Sequence, residues 1–388
     1  MSLRVGVLAA LALACAPKST LPEPPALPPQ AVAKATATPA QILEEAAGSE
    51  DPTLRGHALA HLVTLDPPPG APDWAQRGLW DPEPWVEDQV VAALAGRLHE
   101  PESVKVLADF VHRDDLDPYV RATAALALRG KGPPAVGKTL SAAWRAEPAL
   151  WKRAPLALAA LEWGDRDAAK PLEEALARGA VAFEVDFLVQ IGNSGHPELV
   201  PALAKGTEVA EPELRMAYAA ARVGLGDASA SSELKHALGS DDPDESLAVL
   251  DYLVRLHGTP VLDLLHHARG ESGAVHWYAT LALIGRGEGD ATALLAAMAE
   301  PDREVRELAM RFAADLAGKT LSRKEDKAVR AAVKKGLTDE DPTVRLTAAD
   351  AVSALGVRDE TPWLKALLAD DYPGVRVAAA AALSGASR

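Results

Sequence analysis

Few residues in this chain of 388 combine a reactive type with a spacing that chemistry requires. Cys15 is the single cysteine, so no intramolecular disulfide can form, and it lies between an apolar run and a proline-rich stretch. His57 and His61 are one helical turn apart in HALAH, a spacing that can present two imidazoles to a metal. A third ligand at a diagnostic spacing does not follow, so we predict no metal site and no cofactor.

Catalytic motifs are also missing. The sequence has no phosphate-binding glycine loop, no nucleophile elbow and no zinc-protease motif. Acidic pairs such as Asp114-Asp115 precede predicted helices, where helix capping explains them. We predict that a group of four further histidines lies on helix surfaces: His257, His266, His267 and His276. The sequence therefore predicts no catalysis and no small-molecule substrate.

The segment before Cys15 has the pattern of an export signal. Arg4 and the amino terminus supply positive charge, and residues 5–14 are uncharged and almost wholly apolar. This run is too short to cross about 30 Å of hydrocarbon, which takes roughly 20 helical residues. LALAC, residues 11–15, resembles the lipobox of bacterial lipoproteins. The resemblance implies a signal peptide over residues 1–14 and acyl chains, palmitate among them, on Cys15.

Proline and alanine dominate residues 15–37, and large apolar side chains are few. Such a segment buries too little surface to offset its ordering entropy, so we predict a disordered tether. Ala16 stands where an aspartate would retain a lipoprotein at the inner membrane, so the resemblance implies the outer membrane, facing the periplasm. Surface display, a cleaved signal without lipid and an uncleaved cytosolic N-terminus remain alternatives.

The remaining residues, 38–388, repeat one pattern. In DPTVRLTAADAVSALG, Asp341 stands at a helix N-cap, Pro342 at the first helical position and Gly356 at the stop. Apolar residues between them recur at helical spacing. The apolar residue before the arginine position recurs with a period of about 31 residues. It falls at Leu54, Val86, Val120, Leu214, Val275, Val305, Val344 and Val375.

A second helical segment follows each copy, as in PESVKVLADFVH at residues 101–112. Two helices per repeat, with the pattern D-P-x-V-R-x-x-A-A-x-A-L, resemble HEAT repeats and in particular the short HEAT-like repeats of phycobilisome lyases. The resemblance implies an all-α, right-handed solenoid of about ten to eleven hairpins. It also implies structural contacts to aspartates in neighbouring turns for the recurring arginines: Arg55, Arg121, Arg215, Arg306, Arg345 and Arg376.

Two surface features are candidate partner-binding sites. The first is a group of tryptophans in the first half of the chain, and of these we name Trp74, Trp80 and Trp85. Filling of the core is the alternative for them. The second is a basic stripe on one predicted helix, for which a solvated helix face is the alternative. Its members are Arg323, Lys327, Arg330 and Lys334.

The formal charge is −15, and such acidity opposes binding to nucleic acid, because phosphate neutralisation supplies much of that affinity. Anchor, tether and repeats together predict a lipid-anchored scaffold or adaptor that binds a protein partner of unknown identity. One alternative is a lyase-like or other enzyme built on HEAT-like repeats. Another is a peptide- or glycan-binding module that uses the tryptophan-rich half.

Overall fold

The computed structural model of the chain describes residues 37–65, 73–179, 185–240, 242–317, 319, 321–356 and 358–385, and these residues are predominantly helical. These residues form 22 α-helices and no β-strand, which confirms the predicted all-α repeat architecture. The predicted signal peptide, Cys15 and nearly all of the predicted tether lie outside the described residues. Within the described ranges, no helix is long and apolar enough to cross a membrane.

From α2 onward, the even-numbered helices are the first helices of the hairpins and the odd-numbered helices are the second helices. In chain order they are α1 (Pro39–Ala46), α2 (Pro52–Thr64), α3 (Trp74–Leu79), α4 (Pro84–Gly96), α5 (Pro101–Val111), α6 (Pro118–Ala127), α7 (Ala135–Ala146), α8 (Leu150–Glu162), α9 (Ala169–Ala177), α10 (Val185–Asn193), α11 (Val200–Val209), α12 (Pro212–Gly224), α13 (Ser231–Leu238), α14 (Pro243–Arg255), α15 (Thr259–Ala268), α16 (Gly273–Gly285), α17 (Ala293–Ala297), α18 (Arg303–Asp315), α19 (Arg323–Gly336), α20 (Pro342–Leu355), α21 (Thr361–Leu367) and α22 (Pro373–Gly385).

Local sequence chemistry accounts for where the first helices begin. The Asp341 carboxylate accepts a hydrogen bond of 2.8 Å from the N–H of Thr343, Pro342 is the first residue of α20, and Gly356 ends the helix with φ of +75°. These positions are as predicted. An aspartate caps five first helices in the same way. The five are Asp51, Asp117, Asp242, Asp302 and Asp341.

The chain divides into two compact units. One unit combines the described residues up to Leu107 with those from Val333 onward, and the other is Ala108–Ala332. In the first unit α2 packs on α4, α20 packs on α22, and α1 packs on both α2 and α22. In the second unit the pairs α6 with α8, α10 with α12, and α16 with α18 pack in the same manner.

Alanine permits this close packing of helices. In α8 the buried side chains include four alanines and three leucines, so the helix is covered on most sides. Side chains at the ends of first helices then bind the free carbonyl groups of a neighbouring first helix. Arg286, after α16, donates to the carbonyl oxygens of Leu253, Val254 and Leu256 at 2.8, 3.1 and 2.8 Å. Arg286 therefore satisfies carbonyl groups at the end of α14, the preceding first helix.

Candidate functional site

The recurring arginines bind the turn that precedes their own helix. Arg345 donates to the carbonyl oxygens of Asp339 and Glu340 at 2.9 and 2.8 Å. It also makes two hydrogen bonds, of 2.8 and 3.1 Å, to the carboxylate of Asp370 in the next repeat. Arg55 pairs with Asp81 in the same way, at 2.7 and 2.8 Å.

The predicted contact with a neighbouring aspartate is thus confirmed for Arg55 and Arg345. The other predicted members of the set bind carbonyl oxygens of the turn before their helix or, for Arg121, of the last residue of α5, at distances from 2.7 to 3.2 Å. These are Arg121, Arg215, Arg306 and Arg376. Because a guanidinium presents five N–H groups in a plane, it can satisfy several carbonyl oxygens at once. The arginines are therefore part of the framework.

The basic stripe on α19 is not one exposed surface. Arg323 and Lys327 are exposed, whereas Arg330 is buried beside Asp326, one helical turn earlier, with 3.4 Å between Nε and Oδ1. Lys334 pairs with Asp359, and its ammonium lies 5.2 Å from the centre of the Trp363 ring. The expected exposure of Arg330 is wrong, because α19 turns that position toward the packed side. Partner binding by the exposed residues stays a prediction.

The three named tryptophans have different surroundings. Trp74 begins α3 and is only 7% exposed, so it fills the core and is not a surface residue. Trp85 is half-buried in α4, and its indole nitrogen is close to the position that a Cβ on Gly56 would take. Trp80 follows α3 and is 61% exposed. A single tryptophan-lined surface is therefore not formed, and partner binding by Trp80 or Trp85 stays a prediction.

The second unit contains an open cleft of about 820 Å³ between α7 and the turn after α8. Trp163 forms one wall, and its indole nitrogen donates a hydrogen bond of 2.8 Å to the carbonyl oxygen of Ala125. Glycines at positions 132 and 137 face this ring, and a Cβ at Gly132 would lie 3.0 Å from it. Lys138 is exposed along the cleft. The lining comprises Gly132, Pro134, Gly137, Lys138, Ser141, Ala142, Arg145, Trp163, Gly164 and Asp165.

The carboxylate in this cleft is fully engaged. Asp165 accepts hydrogen bonds from the Trp144 indole at 3.0 Å and from Arg145 at 2.8 and 3.2 Å. Burial opposes ionisation of Asp165, but hydrogen bonds from Ser141, Trp144 and Arg145 outweigh that effect and lower its pKa. The Arg145 guanidinium also lies 4.4 Å from the centre of the Trp144 ring. These donors therefore favour the ionised form of Asp165.

An ionic cluster around the buried side chain of Glu162 links three successive turns of the second unit. The Glu162 side chain is 3% exposed, pairs with Arg129 and lies 3.1 Å from Nε2 of His196. His196 also contacts Glu198 at 2.9 Å. Sequence reasoning missed this cluster, although its first three members are one repeat period apart and so occupy equivalent turns. Because the Glu162 carboxylate contacts Arg129 of the preceding turn and His196 of the following turn, the cluster cross-links neighbouring repeats.

The histidine pair of α2 contacts a carboxylate from a distant part of the sequence. His61 Nε2 lies 3.6 Å from Asp350 Oδ1 on α20, and both residues belong to the first unit. Burial lowers the pKa of His57, which favours its neutral form. Among the described residues, no group of three or more histidine, cysteine, aspartate or glutamate side chains can hold a metal ion. Of the four other histidines, His266 and His267 are exposed on α15, as predicted, and His276 is half-buried in α16. His257 is exposed but lies in the turn between α14 and α15, so its predicted place on a helix surface is wrong.

These helices and their turn contacts define a class: an all-α protein built from stacked helical hairpins. A family model of HEAT repeats matches residues 39–129 and 291–384, so the chain contains HEAT repeats in both segments. No curated protein matches this chain.

Solved structures with some likeness include a crystal structure of an engineered protein, with 18% identity and a TM-score of 0.29 over 91% of this chain and 100% of that chain. Human deoxyhypusine hydroxylase in complex with glycerol has 16% identity and a TM-score of 0.30 over 74% of this chain and 96% of that chain. Scores this low carry no argument about this protein.

Proposed function

We propose that this protein is a non-catalytic binding scaffold, held on the outer membrane by acyl chains on Cys15, whose repeats bind a protein partner in the periplasm. The sequence pattern of residues 1–15 supports the anchor, and the HEAT repeats support the scaffold. The arginines and aspartates of the repeats are engaged in contacts between turns, which supports a structural role for them. A repeat array of this kind offers an extended surface for partners.

The open cleft between α7 and the end of α8 is the observation that carries the proposal. Its wall includes the indole of Trp163 and the backbone of Gly164, where a Cβ would meet no atom within 4 Å, so that an extended chain can approach closely there. The exposed ammonium of Lys138 provides a charge for an acidic group of the partner. The neighbouring acid, Asp165, is already neutralised by Arg145. We propose that a peptide segment of the partner binds here.

A glycan is the second candidate ligand of this cleft. The indole of Trp163 can stack on the apolar face of a sugar ring, and Ser141 supplies a hydroxyl for hydrogen bonding. A purified glycan that protects tryptophan fluorescence from quenching in the unmodified chain but not in Trp163→Phe, with no protein partner captured, would favour this ligand over a peptide.

Site-specific crosslinking tests the cleft. A photo-crosslinking amino acid is placed in cells at Ala142, an exposed lining residue, and at Ala331, an exposed residue of α19, as the control position. We expect a discrete adduct from position 142 that weakens at least tenfold when Lys138→Glu is added. The matched charge reversal Lys205→Glu, on the exposed surface of α11, should leave the adduct unchanged. The same adduct from both positions would exclude the cleft as the docking site.

The anchor is tested separately by metabolic labelling with a clickable fatty acid. We expect the full chain to take up label and to fractionate with membranes, and Cys15→Ser to lose both properties. An unlabelled chain that fractionates with the cytosol would contradict the proposed anchor and location but would not affect the cleft.

A further inference from the structure

The helix α1 lies between two first helices that are far apart in sequence. It packs against α22 on one side and α2 on the other, and these two helices also contact each other. Elsewhere, a second helix packs in this way against two successive first helices: α3 packs against α2 and α4, and α15 packs against α14 and α16. The helix α1 therefore occupies the place of the second helix between α22 and α2.

The apolar face of α1 is buried in this position. Ile42, Leu43 and Ala46 are buried, and Leu43 has no exposed surface, whereas Glu44 and Glu45 on the other face are exposed. A complete capping box begins the helix, because the Thr38 hydroxyl accepts from the backbone of Gln41 while the Gln41 side chain accepts from that of Thr38. A helix of eight residues is marginal alone, so its stability depends on what its apolar face contacts.

The apolar surface of α22 must be buried against other helices, and α1 is one of them. The sequence of α22, PGVRVAAAAALSG, has one charged residue, Arg376, whose guanidinium binds carbonyl oxygens of the preceding turn. Seven of its residues are buried, from Val375 to Ala382. A helix that is apolar on nearly all sides must be covered by other helices on nearly all sides. The cover comes from α20, α21, α1 and α2.

A polar contact extends across the same junction. His61 on α2 lies 3.6 Å from Asp350 on α20, so a side chain of the N-terminal segment also reaches the repeat before α22. The residues that meet here are about 290 positions apart in the sequence, so loop closure opposes the contact and burial must stabilise it.

We propose that α22 and α2 together form a docking site for a short amphipathic helix, and that α1 is its intramolecular occupant. The helix α1 acts as a latch that joins the N-terminal and C-terminal repeats, and the folded state of α22 depends on it. This inference goes beyond the proposed scaffold function and is independent of any lipid on Cys15.

Hydrogen exchange measured by mass spectrometry on the full chain tests the latch. In Leu43→Asp, a charge replaces a fully buried side chain of α1, and we expect amides of α22 to exchange at least about ten times faster. Amides of α14, in the second unit, should keep their rates. The matched control Glu44→Asp, on the exposed face of α1, should leave α22 unchanged. Unchanged exchange in α22 of Leu43→Asp, or faster exchange confined to α2, would overturn the proposal.

A second measurement decides the case in which Leu43→Asp fails to fold. A chain that begins at Ser49 is mixed with a synthetic peptide of residues 37–48. We expect the peptide to restore slow exchange in α22 in a saturable manner, and the same peptide with Leu43→Asp to have no effect. If neither peptide slows exchange in α22, the docking site does not exist as proposed.

Discussion

At the scale of single residues, Arg345 and Asp370 connect two successive turns of the first unit. The Asp370 side chain is 8% exposed and that of Arg345 is 18% exposed, so solvent screens this pair only in part. For Arg345→Ala we expect the free energy of unfolding to fall by about 2–3 kcal/mol, because hydrogen bonds between charged groups and carbonyl acceptors are lost. Urea unfolding followed by circular dichroism measures the change.

The substitution Arg345→Lys separates the effect of the charge from that of the planar guanidinium. Arg345→Lys keeps the charge but lacks the planar set of donors, so we expect only partial recovery of stability. Arg323→Ala is the control, because Arg323 is exposed and its removal should change stability by no more than about 0.5 kcal/mol. If Arg345→Ala is as stable as Arg323→Ala, the framework role of the recurring arginine is contradicted.

His57 makes the stability of the first unit depend on pH. Burial, the largest effect, lowers its pKa, and repulsion by His61 adds to this, while Asp350 and Asp51 oppose it. A histidine whose pKa is lower in the folded chain than in the unfolded chain does not reduce the free energy of unfolding above the unfolded pKa of about 6.5. Below that pH the unfolded chain binds the proton more readily, so the free energy of unfolding falls as the pH falls. We expect His57→Gln to lose less thermal stability than the unmodified chain between pH 7.5 and 5.5.

The melting temperature at the two pH values measures this difference. The control is His99→Gln, because the side chain of His99 is 73% exposed. This control should lose as much stability on acidification as the unmodified chain. Equal losses for His57→Gln and His99→Gln would show that His57 does not contribute to the pH dependence.

At the scale of helices, glycines set how closely neighbouring helices approach. A Cβ at Gly224, the last residue of α12, would lie 2.7 Å from the carbonyl oxygen of Gly192 and 2.9 Å from Leu256 Cδ2. Because a backbone atom would have to move, we expect Gly224→Ala to lower the free energy of unfolding by about 1–3 kcal/mol. Chemical denaturation of the two proteins under identical conditions provides the comparison.

Gly96→Ala is the matched control, for which we expect the free energy of unfolding to rise and not to fall. Gly96 ends α4, and a Cβ there would have no atom within 4 Å. We expect Gly96→Ala to stabilise the chain by about 0.5–1 kcal/mol, because alanine loses less backbone entropy on folding. Stabilisation by both alanines would mean that α12 does not depend on close contact with α10.

At the scale of the whole molecule, stacked hairpins predict a graded response to deletion. Each repeat contacts its neighbours, so stability is approximately a sum of repeat and interface terms. We expect removal of residues 243–272, one central hairpin, to leave the helical signal per residue in circular dichroism nearly unchanged. The midpoint of thermal unfolding should fall, because Arg286 loses the carbonyl oxygens it binds at the end of α14. Loss of all helical signal would contradict a repeat architecture.

Local chemistry made the helices predictable from the sequence. An aspartate followed by proline begins a helix because its carboxylate satisfies free N–H groups while proline has none to lose, and Asp341 with Pro342 does so in the structure. The periodic recurrence of this pattern then indicated the repeats. The cleft was not predictable, because its wall combines Trp163 with glycines from a different hairpin, and the glycines carry no apolar periodicity.

The sequence by itself thus determined the helices, since their caps and apolar spacing depend on residues a few positions apart. The recurrence of that local pattern then gave the period and the arginine position. Only the tertiary structure decided that Arg330 is buried, that Glu162 joins Arg129 to His196, and that α1 covers α22. An apolar stripe shows that a helix face packs against another helix. It does not show which helix, because the stripes of different helices all consist of alanine, valine and leucine. Which helix covers which is therefore settled by the free energy of the assembled array.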